Sequence, residues 1–245
     1  MQPPEQTTGQ ISPDGYWMWN GAQWVPNPYR PAVAPAPSVP YESAGSRAGI
    51  AAILIYSSIA GIVLLTVANV AIDLTPNAGD NLTVSALALV ALLVWFGTLV
   101  GAVVFFCMWL HRVIRNMPSL GAPDPRWSPA RAVLYCFIPF VFWVHPLWSV
   151  LDAWRGADTS RRWLDRGTRR TLRAPGLFVA WWASWLIGNY TTNIGARYNG
   201  SPGAVLEVIG SVGQIIAAVL VVMVIREVSA RQERKNELIT SGQLV

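Results

Sequence analysis

The sequence predicts an all-α integral membrane helical bundle preceded by a small N-terminal β-hairpin. Three observations carry this prediction: five long apolar runs, an uneven distribution of arginine, and a tryptophan-rich stretch before the first run. Hydrophobic residues make up 53% of the 245 residues and charged residues only 13%. This composition is typical of a membrane protein rather than a soluble one.

The N-terminal stretch has the pattern of a hairpin. Asn20-Gly21 separates the β-prone runs 16–19 and 22–25. Asn-Gly is a strong hairpin signal because both residues tolerate the positive φ of a tight turn. A two-residue loop would pair Trp19 with Ala22, Met18 with Gln23 and Trp17 with Trp24, so that Trp17, Trp19 and Trp24 share one face.

This predicted hairpin is too small to be stable in water without further contacts. An exposed face of three tryptophans predicts a binding surface. It could bind an unidentified protein partner, the membrane surface or a second copy of the chain. The alternative is a self-clustered hairpin without a partner. The proline-dense residues 28–46 then favour a semi-rigid extended linker.

The membrane region is defined by the five apolar runs. A helix needs about 20 apolar residues to cross a hydrocarbon core of about 30 Å. Each run meets this length, at residues 48–74, 84–110, 132–154, 176–195 and 203–226.

The loops between the runs carry an uneven charge, which predicts their side of the membrane. The first loop contains aspartate but no Lys or Arg, and the fourth contains Arg197 alone. In contrast, residues 112–131 and 155–173 are rich in arginine. Because arginine-rich loops stay in the cytoplasm, both loops that flank the third run should be cytoplasmic. The tail after residue 226 is weakly basic, and we expect both termini to be cytoplasmic.

Five full spans conflict with this charge distribution. If the third run crossed the membrane, one of the two basic loops would lie outside the cytoplasm. Four spanning helices with a third segment that enters and leaves on one side satisfy every loop. Pro139 and Pro146 favour this arrangement because each removes a backbone donor and bends a helix. We therefore predict a Pro-kinked re-entrant or interfacial third segment, with five spans as the alternative.

Arginines beside the membrane are candidates for contact with lipid phosphates. Arg112 and Arg115 lie three residues apart at the predicted end of the second helix. A further set recurs at three- or four-residue spacing, which predicts a basic helix on an anionic leaflet: Arg162, Arg166, Arg169 and Arg173. The alternatives are simple anchoring for the first pair and a solvated loop for the second set.

Few residues suggest chemistry. His145 and Asn116 form a candidate polar site, although packing is the alternative for His145. Cys107 and Cys136 lack metal-ligand spacing and predict free thiols. We expect no metal, no cofactor and no enzymatic activity, because no nucleophile and base pair is visible. Gly97 and Gly101 form a GxxxG pattern, which favours helix packing within the chain and leaves a homo-oligomer open.

One stretch resembles a known family. The residues that carry the resemblance are Trp109, Arg112, Arg115-Asn116, Pro118, Leu120-Gly121, Ser128-Pro129, Pro139 and Pro146. They are similar to the pattern of the bacterial family of domain of unknown function 4328. The N-terminal stretch resembles short Trp-rich modules that precede membrane segments in actinobacterial proteins. The two resemblances imply an actinobacterial inner-membrane protein and no established activity.

The predicted organisation has four parts: the hairpin at 1–27, the linker at 28–46, the membrane domain at 47–230 and a polar cytoplasmic tail at 231–245. We expect a non-enzymatic scaffold or adaptor that contacts an unidentified protein partner and anionic lipids. The alternative is a small transporter or lipid-headgroup-binding protein. Nucleic acid is not expected, because the arginines sit beside membrane spans.

Overall fold

The computed structural model describes residues 8–12, 17–27, 39–74, 77, 81–198 and 200–244. The chain divides into two compact units, residues 1–38 and 39–245. Most of the predicted linker, residues 28–38, lies outside the described residues. The elements in chain order are strands β1 (Trp17–Trp19) and β2 (Trp24–Pro26), then helices α1 (Gly45–Leu74), α2 (Leu82–Arg115), α3 (Pro129–Leu134), α4 (His145–Gly156), α5 (Arg166–Thr171), α6 (Gly176–Gly195) and α7 (Ser201–Thr240).

The first unit contains the predicted antiparallel hairpin, but its register differs from the prediction. Trp19 pairs with Trp24 and Trp17 with Pro26. The predicted partners of Trp19 and Trp17 were therefore wrong. Trp19 and Trp24 pack edge to face with ring centroids 5.6 Å apart, and the shift by two residues keeps the three tryptophans on one face.

The cause of the shift is the side chain of Asn20. Its Oδ1 accepts hydrogen bonds from the backbone N–H groups of Ala22, at 2.9 Å, and Gln23, at 2.8 Å. Gly21 has a positive φ of 99°. The turn is therefore centred on Gly21 and Ala22, one residue later than predicted. An Asn side chain that bonds the backbone two residues on is a common way to stabilise a turn.

A third stretch adds to the other edge of β1. The backbone N–H of Gly9 donates to the carbonyl of Trp19 at 2.8 Å, and that of Ser12 donates to Trp17 at 2.9 Å. Ile11 lies opposite Met18. The unit is thus slightly larger than a lone hairpin.

In the second unit, α1, α2 and α7 are long and apolar enough to cross a membrane. Among the residues that the structure describes, these three meet both conditions, and they indicate a membrane protein. Helix α6 has 20 residues, but its last turns carry Asn189, Thr192 and Asn193, which lower its hydropathy. Helix α1 packs against α2 and α7, and α6 packs against α7.

Close packing of α6 on α7 depends on glycine. A Cβ at Gly188 would lie 2.7 Å from the backbone nitrogen of Gln214 and 2.9 Å from the carbonyl oxygen of Gly210. Small residues allow two helices to approach in this way. The GxxxG pair of α2 is used only in part, because Gly101 packs against Leu54 of α1 while Gly97 meets open space.

The third apolar run, residues 132–154, is not one helix. Helix α3 ends at Leu134, a 3₁₀ turn covers Val141–Trp143, and α4 begins at His145. Phe140, directly after Pro139, has a φ of 64°, which bulky residues rarely adopt. With 12 residues, α4 is about 18 Å long, too short to cross the hydrocarbon core.

This third segment begins and ends at the same end of the bundle. Before it, the C-terminal part of α2 contacts α7, where Gln232 Nε2 donates to the carbonyl of Val113 at 2.8 Å. After it, Lys235 Nζ donates to the carbonyl of Gly156, the last residue of α4, at 3.1 Å. Both flanks of the segment therefore lie against one short stretch of α7.

We expect Gly188→Ala to destabilise the bundle, because the added methyl group would overlap the backbone of α7. Overpacking of this kind costs about 1–3 kcal/mol, which lowers the melting temperature by several degrees. The matched control is Gly97→Ala, whose methyl group would enter open space and should leave the melting temperature unchanged or slightly higher. Tryptophan fluorescence of the purified full-length protein during heating provides the measurement. Equal melting temperatures for the two variants would contradict this account of the interface.

Candidate functional site

Most of the charged residues of the second unit lie at one end of the bundle. We name this region the arginine-rich end and define it as residues 112–131, 152–173 and 226–240. Its two loops, before and after the third segment, are bound to each other. The backbone N–H of Leu164 donates to the carbonyl of Gly121 at 2.9 Å. Gly121 has a φ of 80°, and a Cβ there would lie 1.8 Å from the carbonyl oxygen of Arg162, so only glycine fits.

Arg169 lies at the centre of this end and is completely buried. Its guanidinium binds the carboxylates of Asp124, at 3.0 Å, and Asp152, at 3.3 Å. It also donates to the backbone carbonyls of Asp124, at 2.6 Å, and Leu164, at 2.8 Å. A buried charge needs such full pairing, because an isolated one carries a large desolvation cost. The prediction that Arg169 contacts lipid was therefore wrong.

Asp152 connects this cluster to an aromatic layer. Its second oxygen accepts a hydrogen bond from the backbone N–H of Arg126 at 2.7 Å. The Arg126 guanidinium lies between the rings of Trp127, at 4.5 Å, and Trp148, at 4.4 Å. These two rings are nearly parallel, with 9° between their planes. A cation between aromatic faces gains about 0.5–1 kcal/mol from each at exposed sites, so Arg126 fastens the start of the third segment to α4.

His145, a predicted polar-site residue, is buried beneath that aromatic layer. Its Nε2 lies 3.0 Å from the carbonyl of Ala132 and 3.0 Å from the Ser149 hydroxyl. Because a carbonyl can only accept, Nε2 carries the proton. The ring is thus a packing element that joins α3 to α4.

Asn116 and Arg112 fix the segment before α1. Asn116 is buried, donates to the carbonyl of Glu42 at 2.8 Å and accepts from its backbone N–H at 3.3 Å. Arg112 forms an ion pair with the Glu42 carboxylate, and Arg115 lies 4.0 Å from it. Arg112 is therefore mainly a structural residue, whereas the Arg115 side chain is 44% exposed.

The remaining predicted arginines do not form one helical face. Helix α5 covers only Arg166–Thr171, so Arg162 precedes it and Arg173 follows it. The prediction of one continuous basic helix was wrong, because Asp165 caps a new helix by accepting from the N–H of Thr168 at 2.8 Å. Arg166 binds Asp124 at 3.6 Å, and Arg162 lies 5.3 Å from the ring of Trp163. Three arginines within residues 155–173 are exposed: Arg161, Arg170 and Arg173.

The polar end of α7 is the part that sequence reasoning missed. Ser229, Gln232 and Lys235 recur at three-residue spacing and are all buried against α2 and α4. Arg231 binds Asp158 at 2.6 Å. Burial alone would raise the pKa of Asp158, but hydrogen bonds from Ser160 and the charge of Arg231 lower it. The spacing of polar residues after the apolar run was a signal for a helix that continues and packs.

A cavity lies on the apolar side of the third segment. Its volume is about 400 Å³, and its walls come from α1, α2, α6, α7 and the third segment. The lining consists mostly of aromatic and aliphatic side chains, and Cys107 and Cys136 are both part of it. Both cysteines are free thiols. Within the described part of the chain, no group of three or more His, Cys, Asp and Glu side chains could hold a metal ion.

A comparison with protein families gives the lineage. A family profile described as "Domain of unknown function (DUF4328)" matches residues 77–230. The chain belongs to the DUF4328 family. The match confirms the resemblance that the sequence indicated, and it extends from the start of α2 into the polar part of α7. No curated protein and no solved structure shows a significant match to the chain.

The sequence pattern that resembled the DUF4328 family lies mostly at the arginine-rich end. Trp109 is buried and donates to the Ser229 hydroxyl at 2.9 Å, Asn116 holds Glu42, and Gly121 allows the two loops to meet. These residues therefore hold in place the two loops at which the third segment begins and ends. The DUF4328 match leaves out the hairpin unit and α1.

We expect Arg169→Lys to destabilise the protein although it keeps the positive charge. A lysine ammonium cannot reproduce the planar set of donors that binds Asp124, Asp152 and Leu164, and unsatisfied buried groups cost about 1–3 kcal/mol each. The control is Arg170→Lys, at an exposed neighbour, which should change stability by less than about 0.5 kcal/mol. Thermal unfolding in mild detergent measures both. A melting temperature of Arg169→Lys equal to that of the control would show that the buried cluster contributes little.

Proposed function

We propose that this protein is a non-enzymatic scaffold of the inner membrane whose N-terminal tryptophan module binds a protein partner. The observation that carries the proposal is the exposure of Trp17, which is 46% exposed on a sheet of very short strands. Ile11 is 52% exposed on the opposite face of the sheet, the face of Met18. Exposed apolar side chains on so small a unit are typical of a binding surface.

The charged groups of the second unit favour a scaffold over an enzyme. Arg112, Arg169 and Asp152 are each engaged in ion pairs that fix the fold. Catalytic groups, in contrast, are expected beside a space that a substrate can reach. The part of the molecule best suited to recognition is then the hairpin unit, which the proline-rich residues 28–46 join to the membrane domain.

The proposed topology has four spanning helices, α1, α2, α6 and α7, with both termini in the cytoplasm. Its support is the hydrogen bonding between the two loops that flank the third segment, which keeps them on one side. Because these loops carry most of the arginines, that side is the cytoplasm.

The third segment is proposed to be re-entrant rather than flat on the surface. Trp154 contacts Phe178 in the first turn of α6, with ring centroids 5.8 Å apart, while Trp143 contacts Tyr190, at 5.7 Å. Phe178 and Tyr190 are about 18 Å apart along the helix axis. If α6 spans, the segment therefore penetrates more than half of the hydrocarbon core.

A second candidate function is the binding of anionic lipid headgroups, favoured by the exposed Arg161, Arg170 and Arg173. Each basic residue near an anionic surface contributes about 1 kcal/mol. This candidate predicts that lipids retained by the purified protein are enriched in anionic headgroups relative to the membrane of origin. A lipid composition equal to that of the membrane would contradict it.

The topology predicts the labelling of single cysteines placed in a chain in which Cys107 and Cys136 are replaced by alanine. Ser160→Cys should resist a membrane-impermeant maleimide in intact cells and react after permeabilisation. Tyr198→Cys, in the exposed α6–α7 loop at the other end of the bundle, should react in intact cells. Labelling of Ser160→Cys in intact cells would exclude the four-span arrangement.

The scaffold proposal predicts that Trp17→Ala loses a crosslinked partner from native membranes. Because the Trp17 side chain is already partly exposed, its removal should weaken binding more than folding, and recovery of the partner should fall roughly tenfold, which corresponds to about 1.4 kcal/mol. The matched control is Gln23→Ala, at an exposed loop position of the same hairpin. Equal recovery of the partner with Trp17→Ala, Gln23→Ala and the unaltered chain would show that the binding surface lies outside the hairpin.

A further inference from the structure

The cavity beside the third segment lies at the level of the bilayer. Its lining includes Ile55 to Ile62 of α1, Trp95 to Cys107 of α2 and Gln214 to Val221 of α7. These stretches belong to the three helices that are long and apolar enough to span. The position of the cavity therefore does not depend on whether α6 spans or on the scaffold function.

The cavity walls are suited to hydrocarbon. Among the residues that the structure describes, no charged side chain lines the cavity, and the polar groups in its lining are few. Ser58 donates to the carbonyl of Ile55 at 2.7 Å, Asn189 donates to that of Trp185 at 2.8 Å, and Gln214 donates to the Thr192 hydroxyl at 3.2 Å. These three donors are engaged within the protein, and a lining with few polar groups and no charge offers little to a charged ligand.

The volume of the cavity matches a hydrocarbon chain rather than a small molecule. An apolar cavity of about 150 Å³ holds one benzene, and this cavity is about 400 Å³. If a methylene occupies about the space of a water molecule, roughly 30 Å³, then on the order of a dozen methylenes fit.

The cavity also reaches the outer surface of the bundle. Val103 of α2 and Phe137 of the third segment line it and are 38% and 61% exposed. At bilayer depth, this opening faces lipid tails. The most abundant apolar molecules at such an opening are the hydrocarbon chains of the surrounding membrane.

We propose that the cavity binds a single hydrocarbon chain of a membrane lipid, inserted between α2 and the third segment. Trp182 and Trp185, which stack at 4.7 Å, form its inner wall together with Ala217 and Ala218 of α7. The hydrocarbon chain fills space that would otherwise lack van der Waals contacts. It thereby stabilises the packing of the broken third segment against α6.

The experiment uses the full-length protein in lipid nanodiscs that contain a photoreactive diazirine probe near the end of a hydrocarbon chain. Three separate preparations distinguish the source of the chain: phosphatidylglycerol with a diazirine acyl chain, a free diazirine fatty acid and a diazirine isoprenoid alcohol. After irradiation, mass spectrometry locates the adducts. We expect adducts on the inner wall, at Trp182 or Ala217–Ala218, with at least one probe.

A variant that fills the cavity provides the decisive comparison. Ala218→Phe should lower the yield of inner-wall adducts roughly tenfold, because the ring takes the space of the chain. Val219→Phe is the matched control, since Val219 is exposed on the outside of α7, and it should leave the yield unchanged. Adducts on the outward-facing Leu89 and Leu93 should be equal in all variants.

Inner-wall adducts that are equally abundant in Ala218→Phe and Val219→Phe would overturn the proposal. Should Ala218→Phe fail to fold, the adducts of the unaltered protein still test it. Adducts confined to outward-facing positions such as Leu89 and Leu93, with none on the inner wall for any of the three probes, would also overturn it.

Discussion

The buried guanidinium of Arg169 holds together three separate parts of the membrane domain. It binds Asp124 before the third segment, Asp152 within α4 and the carbonyl of Leu164 after it. A charge buried in this way is costly unless all of its partners are present. Its partners come from three separate parts of the chain, so they can meet only if the third segment returns to the end where it started.

The proposed re-entrant path accounts for the composition of the third segment. In that arrangement, a chain that turns back at membrane depth must satisfy the backbone groups that its prolines leave without helix partners. The Trp182 indole donates to the carbonyl of Trp143 at 2.8 Å, which meets one such need at the turn. The rings of Tyr190 and Trp185 pack against Trp143 and Trp182 around this polar contact.

Part of this architecture could be predicted from the sequence, because hydrophobic length and proline act locally. The apolar runs at 48–74 and 176–195 coincide closely with α1 and α6, and the prolines correctly indicated a broken third run. The role of Arg169 could not be predicted, since its partner Asp124 is 45 residues away and a charge count treats every arginine as exposed.

Two other differences have similarly specific causes. The hairpin register moved because the Asn20 side chain bonds the backbone of Ala22 and Gln23, a contact that a loop-length rule does not consider. The length of α7 was underestimated because its polar end packs against α2 and α4 through Gln232 and Lys235. In both cases, polar side chains that the hydrophobic pattern of the sequence does not take into account determined the local structure.

In the proposed topology, the third segment enters the bilayer and returns to the side from which it came. Spin labels at Arg131, Phe140 and Ser160, each in a separate full-length preparation in sealed vesicles, test it through their relaxation by oxygen and by a water-soluble nickel complex. The account predicts that oxygen relaxes the Phe140 label strongly and nickel does not, while nickel added to one side relaxes the labels at Arg131 and Ser160 alike. Nickel access to Arg131 and Ser160 from opposite sides, or strong nickel relaxation at Phe140, would contradict it.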